Sequence, residues 1–203
     1  MSTQLLVASR NAKKLEEMRR IIVRAGIEGV DVVGLDEVPP FEETPETGSA
    51  FEDNAVVKAR DALAATGLPS VADDSGISVD ALNGMPGVLS ARWAGSARSD
   101  QANLELVLEQ LADVPDERLG AQFVCAAALV LTDGTEIVVR GVWPGTLVRK
   151  PRGTNGFGYD PIFVPEGETR TSAELLTEEK DAISHRGRAL SLLLPHLRSL
   201  GDR

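Results

Sequence analysis

Short, wholly apolar runs alternate along this chain with longer stretches in which apolar residues return every third or fourth position. The first run, Leu5-Leu6-Val7-Ala8, reads as a buried strand. It gives way to the polar turn Ser9-Arg10-Asn11. Leu15, Met18, Ile21, Ile22 and Ala25 then line one face of a helix that stops at Gly26. Val30 to Val33 form a second strand, and the acidic, proline-bearing stretch Pro39 to Pro45 a loop. Ser49-Ala50-Phe51-Glu52 has the capping-box pattern and opens a helix running to about Thr66, with Gly67 at its end. Phe51, Ala55, Ala59 and Ala62 make the apolar stripe of that helix, while Asn54, Lys58 and Asp61 share another face.

Val71-Ala72 then reads as a strand that ends in Asp73-Asp74 and a Ser75-Gly76 turn. Asp100 to Leu111 is a third helix, its core face made of Leu104, Val107, Leu108 and Leu111. Leu119 to Leu131 is apolar throughout and suits a central strand buried on both faces, although Ala126 to Ala128 also suit a helix. Asp133-Gly134 turns the chain into a hairpin partner running through Ile137 to Trp143. Asn155 to Pro161 is an irregular, glycine-rich loop. The C-terminal helix starts near Ser184, buries Ala189, Leu190, Leu193, Leu194 and Leu197, and is ended or kinked by Pro195. With no repeat, low-complexity tract or long linker, residues 1–203 read as one compact α/β domain.

Charge narrows what such a domain binds. Twenty-one lysines and arginines face 31 acidic residues, a net charge of −10. That sign disfavours nucleic acid and anionic membrane, but a local cluster of cations and backbone N–H groups can still hold a small phosphate ligand. Cys125 is the only cysteine and lies in the apolar run Phe123 to Ala127, where it reads as a small core residue. One cysteine, an N-terminus without a basic leader and no run long enough to span a membrane point to a soluble cytoplasmic protein.

Six groups of residues carry candidate chemistry. Asp73-Asp74 is either a polar turn or a site of metal ligand and general base. Ser9, Arg10, Asn11, Ala12, Lys13 and Lys14 occupy a strand-to-helix junction, where free N–H groups and the helix dipole favour anions; Asn11 as a plain helix cap accounts equally for part of this pattern. Glu46 lies outside the second helix and, with Asp73 or Asp74, would complete an all-oxygen Mg²⁺ site whose other positions go to water and phosphate. Asn54 and Lys58, one turn apart, either address a phosphate together or form a solvated face. Phe157, among the glycines of its loop, either stacks on a planar base or tucks into the core. His185 and Arg186, following Lys180 and Ser184, put cations at a helix start, where the dipole opposes them; an anionic or carbonyl-rich ligand would compensate. This is the inventory of a nucleoside triphosphate site. Zinc hydrolysis, serine–histidine catalysis and glycoside hydrolysis each lack their ligand spacing, nucleophile elbow or use for the lysines.

The same residues resemble the inosine/xanthosine triphosphate pyrophosphatases. The matching stretches are Ala8-Ser9-Arg10-Asn11 with Lys14, Glu46-Thr47-Gly48 through Phe51, Asn54-Ala55 to Lys58-Ala59, Ala72-Asp73-Asp74-Ser75-Gly76, Pro86-Gly87 with Ser90-Ala91-Arg92, Gly156 to Pro161, and Ser184-His185-Arg186-Gly187. They follow in order along nearly the whole chain; Arg10 departs from the glycine of many members. The resemblance implies an elongated, two-lobed α/β fold with a mixed central sheet flanked by helices, the substrate in the cleft between lobes, and a homodimer. It implies Mg²⁺-dependent hydrolysis of ITP, dITP or XTP to the monophosphate and pyrophosphate. Asp74 matches the catalytic, metal-binding carboxylate, Glu46 a metal ligand and Asp73 its neighbour in support. Ser9 to Lys14, Lys58, Ser75 and Lys180 match phosphate and sugar contacts, with Asn54 beside them. Phe157, Gly158, Tyr159 and Asp160, with His185 and Arg186, match the base pocket. The rival expectations are a Maf-like pyrophosphatase of different base preference and a nucleotide-binding sensor without turnover.

Overall fold

A computed structural model describes residues 2–201. Among these, six strands form one mixed sheet in the order β2-β1-β3-β4-β5-β6. The strands are β1 (Thr3–Val7), β2 (Val30–Gly34), β3 (Ser70–Val79), β4 (Gly120–Val130), β5 (Glu136–Leu147) and β6 (Phe163–Pro165); the helices are α1 (Ala12–Arg24), α2 (Phe51–Thr66), α3 (Asp100–Gln110), α4 (Thr177–Ile183) and α5 (His185–Gly201). Strand β1 runs parallel to both neighbours, Leu5 opposite Val32 on one side and Val7 opposite Val71 on the other, as strands joined through crossover helices do. At the far edge β5 and β6 are antiparallel, with Leu147 opposite Phe163.

The chain folds into two compact units. Among the described residues, the first comprises 2–74, 125–141 and 186–201, the second 75–124 and 142–185. In the first, Leu5 and Val7 of β1, Met18, Ile21 and Ile22 of α1, Cys125, Ala127 and Leu129 of β4, and Leu193 and Leu197 of α5 share a core. The second is richer in aromatic rings: Phe123, Trp143, Tyr159 and Phe163 pack with Val107 of α3 and Leu111 at its C-cap, and the Phe123 and Phe163 centroids meet edge-to-face at 4.7 Å. No helix of the described residues is long and apolar enough to cross a membrane.

Most elements follow from the hydropathy pattern, with instructive exceptions. Helix α2 buries all four residues of its stripe and ends at Gly67 in a left-handed conformation, φ +71°. Its start lies one residue later than the Ser49 capping box would put it. The N-cap is Ala50, so the third helical residue is Asp53, whose Oδ2 accepts from the Ala50 N–H at 3.2 Å. The Asp133-Gly134 turn forms as expected, with Gly134 at φ +85° and Asp133 Oδ1 accepting from the Thr135 N–H. Helix α5 begins at His185 and passes through Pro195 to Gly201 rather than ending at the proline. Helix α4, ahead of it, carries no apolar stripe that the pattern could announce.

Candidate active site

The two carboxylates singled out by the sequence do not lie at a strand-ending turn. Strand β3 continues from Ser70 without interruption through Asp73, Asp74, Ser75 and Gly76 to Val79. Gly76 is needed for lack of a side chain rather than for turning: a Cβ there would collide with Ser90 Oγ and Gly87 O. Because the chain stays extended, successive side chains leave on opposite faces of the sheet. Asp73 and Asp74, adjacent in sequence, therefore enter different surroundings.

Asp74 meets α2. Asn54, buried on that helix, donates from Nδ2 to Asp74 Oδ2 at 2.9 Å, while its Oδ1 accepts from the Gly48 N–H at 2.8 Å. One amide thus fixes both the carboxylate and the Glu46-Thr47-Gly48 segment, and Gly48 has no room for a Cβ beside Asp53 and Asn54. One turn on, the Lys58 ammonium donates to Glu46 Oε1 at 3.0 Å and to the Asp73 carbonyl at 2.8 Å, and lies 3.5 Å from Asp74 Oδ1. The Asn54–Lys58 face of α2 is accordingly packed against β3 and is not a solvated surface. Burial pushes the Asp74 carboxyl above the ordinary carboxylate range, outweighing the pull of Lys58 and Asn54. Burial draws Lys58 the other way, but Asp74, Asp73 and Glu46 together hold its pKa above the usual lysine value.

Glu46 and Asp74 converge on one cation, the Lys58 ammonium, and such paired carboxylate oxygens suit a hard divalent ion equally well. Among the described residues, no three acidic, histidine or cysteine side chains gather closely enough to hold a metal by themselves. An ion at Glu46 and Asp74 would take its remaining ligands from water and phosphate.

Asp73 enters a different setting. Its Oδ2 pairs with Lys14 Nζ at 2.8 Å and with Arg186 Nε at 3.3 Å, and the Cys125 thiol approaches it at 3.7 Å. Arg186 also donates from Nη1 to Glu17 Oε2 at 2.9 Å. Burial opposes ionisation of Asp73, but Lys14, Arg186 and Lys58 hold its carboxyl far below the usual range. Burial works against the Arg186 charge as well, but the carboxylates of Asp73 and Glu17 outweigh it and keep the guanidinium protonated. Glu17 has no counterpart in the sequence reading. Its signal was there: a charged residue beside Met18 on the apolar side of α1, one turn beyond Lys14.

The Ser9 to Lys14 junction forms as the pattern requires. Asn11 caps α1, its Oδ1 accepting from the Lys13 N–H at 3.0 Å, and Ser9 Oγ accepts from the Asn11 N–H at 3.2 Å. Ala12 and Lys13 are exposed, whereas Lys14 turns inward to Asp73. Arg10 points to solvent and pairs with Glu43 at 2.7 Å. Ser9, Arg10 and Ala12 also wall a cavity of about 370 Å³ that includes Leu15, Leu35 and Phe41.

The second unit holds the other candidates. The Phe157 ring is 37 % exposed rather than tucked into the core, with Lys180 Nζ 5.7 Å from its centroid. Gly158 N–H donates to Asp100 Oδ2 at 3.0 Å. Tyr159 is buried, and its hydroxyl donates to the Ser90 carbonyl at 2.8 Å. Asp160 is buried and bound to Lys180 and Ser172. Ser75 is partly exposed on β3. His185 lies flat against Phe123, centroids 4.8 Å apart at 12°, with Trp143 at 6.2 Å. His185 and Arg186, adjacent and expected together, have their contacts in different units: His185 among the aromatic rings, Arg186 with Asp73 and Glu17.

The first unit thus holds a helix start capped by Asn11 and a lysine between two carboxylates, and the second an exposed aromatic ring. Comparison with known proteins gives the family. A profile of the Ham1 family matches residues 5–196, and the chain belongs to that family. It is 66 % identical over 200 residues to a dITP/XTP pyrophosphatase of Nocardia farcinica, covering 98 % of this chain and 97 % of the relative. The crystal structure of a nucleoside-triphosphatase, a dITP/XTP pyrophosphatase from Mycobacterium abscessus, shares 61 % identity with a TM-score of 0.78 over 95 % of this chain and all of that one. The Ham1 protein of Staphylococcus aureus is similar at 38 % identity and a TM-score of 0.86, covering 99 % of this chain and all of the other.

Proposed function

We propose that this protein hydrolyses non-standard purine nucleoside triphosphates, ITP, dITP and XTP, to the monophosphate and pyrophosphate, and so clears deaminated purines from the nucleotide pool. The observation that carries this reading is Asp74: a carboxylate with a raised pKa, oriented by Asn54 and faced by Lys58 and Glu46. Once ionised, Asp74 has the basicity to orient and deprotonate a water aimed at the α-phosphorus. Asn54, whose own amide is fixed by Gly48, prevents the carboxylate from turning away.

Lys58, Lys14 and the N–H groups at the start of α1 neutralise charge on the phosphates, where such preorganised donors favour the departing pyrophosphate. Glu46 and Asp74, with Asp73 nearby, are the residues that would hold Mg²⁺. When bound, the ion would polarise phosphoryl oxygens and offset their charge. Phe157 offers a stacking face, and Gly158 and Tyr159 shape its loop. By the resemblance His185 and Arg186 belong with the base, although Arg186 is buried and tied to Asp73 and Glu17. Donors that expect an acceptor at position 6 would be left unpaired by the amino group of adenine, which accounts for selecting 6-oxo purines. Ser9, Ser75 and Lys180 complete the phosphate and sugar contacts of this reading. The cytoplasmic setting is supported by the single, buried cysteine, and the homodimer by the family resemblance.

Pyrophosphate release measured with Mg²⁺ across ITP, dITP, XTP, GTP, ATP, CTP and UTP tests the proposal. ITP, dITP and XTP should lead by a wide margin. Comparable turnover of GTP or ATP would replace this reading with a pyrophosphatase of another base preference, and tight binding without turnover would leave a nucleotide sensor.

A further inference from the structure

Asp160 is 2 % exposed, and both of its carboxylate oxygens are occupied by the protein itself. Oδ2 accepts the Phe157 N–H at 2.8 Å and also the Lys180 ammonium; Oδ1 accepts the Ser172 hydroxyl at 2.7 Å. The fit is close enough that a Cβ on Gly156 would run into Asp160 Oδ2 and crowd Lys180 Nζ. Around it the loop is pinned elsewhere: Thr154 and Asn155 N–H groups donate to the Ala173 carbonyl, and Asn155 Nδ2 to the Leu175 carbonyl at 2.9 Å. Neutral hydrogen bonds therefore already hold the loop. What Asp160 adds is charge, and that charge is spent on Lys180.

We infer that Asp160 is a positioning residue that does not touch the nucleotide. It acts through two groups that can: the exposed ring of Phe157 and the partly exposed ammonium of Lys180. The carboxylate sets both at once, so the cation is presented beside the ring instead of ranging over the many rotamers of a free lysine. Such preorganisation lowers the cost of ordering these groups when a ligand arrives. The inference rests on the proposed function, and it moves Asp160 from the substrate contacts to the support behind them.

The test is a double-mutant cycle read as binding, on the Asp74→Asn protein so that dITP is not consumed. The dissociation constant for dITP with Mg²⁺ is measured by calorimetry for Asp160→Asn, Lys180→Ala and the pair. Asparagine keeps the shape and an acceptor for the Phe157 N–H but loses the charge that holds Lys180. Each single change should weaken dITP about tenfold, and the pair no more than about threefold beyond either, because both remove one coupled element. Factors that multiply to about a hundredfold would overturn the inference, as would an unchanged constant in Asp160→Asn. A residue holding only the loop in shape would lower the thermal midpoint without this coupling to Lys180. Turnover of dITP by the unaltered protein is scored separately: its absence removes the pyrophosphatase reading, while independent factors in the cycle remove the positioning role.

Discussion

Asp73 and Asp74 are neighbours in sequence and identical in chemistry, yet the extended backbone between them sends one to Lys14 and Arg186 and the other to Asn54 and Lys58. Asp73 has two cations for its one negative charge and is held ionised. Asp74 is buried with less compensation and retains affinity for a proton. A base must be able to accept a proton, and a structural anchor must not. Under the proposed function, the reversal of face at each residue of this strand would separate those two jobs.

Exchanging the carboxylates one at a time is the direct way to break this comparison. Asp74→Asn should reduce turnover of dITP about a thousandfold, as loss of a general base does, with the thermal midpoint close to that of the unaltered protein. Steady-state kinetics with calorimetry checks both halves, and near-normal turnover would remove Asp74 from the chemistry. Asp73→Asn should act chiefly on stability, with a smaller loss of turnover than Asp74→Asn. By removing the carboxylate partner of the largely buried Lys14 and leaving Arg186 with Glu17 alone, it should cost about 3 kcal/mol of stability, measured by urea unfolding. The pH dependence carries its own sign. Because folding lowers the Asp73 pKa, its stabilisation is complete above about pH 4, the unfolded value, and is lost as the pH falls towards the folded one. Acid unfolding curves of Asp73→Asn should be flatter below about pH 4. If the two variants behave alike, the division of labour is wrong.

A smaller change sharpens the contrast from the Asp74 side. Lys58→Ala should lower kcat/KM for dITP about a hundredfold, by loss of a phosphate donor, with little loss of stability. Lys58 favours the ionised form of Asp74, so its removal should also move the acid limb of the kcat/KM profile to higher pH. A limb that stays in place would show that the titrating group is not Asp74.

How much of this was legible in the sequence depends on whether the cause was local. Helix α2 was, because its stripe of Phe51, Ala55, Ala59 and Ala62 and its Gly67 stop are periodic features of one segment. So was β4, buried along nearly its full length. The Asn54–Lys58 pair was visible as a shared face, though only packing against β3 shows that the face points inward. Gly76 misled, since a glycine after two aspartates has the look of a turn. Its reason is the Ser90 and Gly87 atoms pressed against it, which local pattern cannot show. Glu17 was missed on similar grounds: its partner Arg186 stands 169 positions away, and a glutamate on a helix ordinarily faces water.

The Cys125 thiol beside Asp73 has a practical side. Fully buried, with its pKa driven up first by burial and then by the Asp73 charge, it is a protonated and unreactive sulfur. The chain therefore arrives chemically silent towards thiol reagents. Dyes or spin labels placed on cysteines introduced near Phe157 or Glu46 would report from those positions alone, and the native sequence need not first be stripped of its own cysteine.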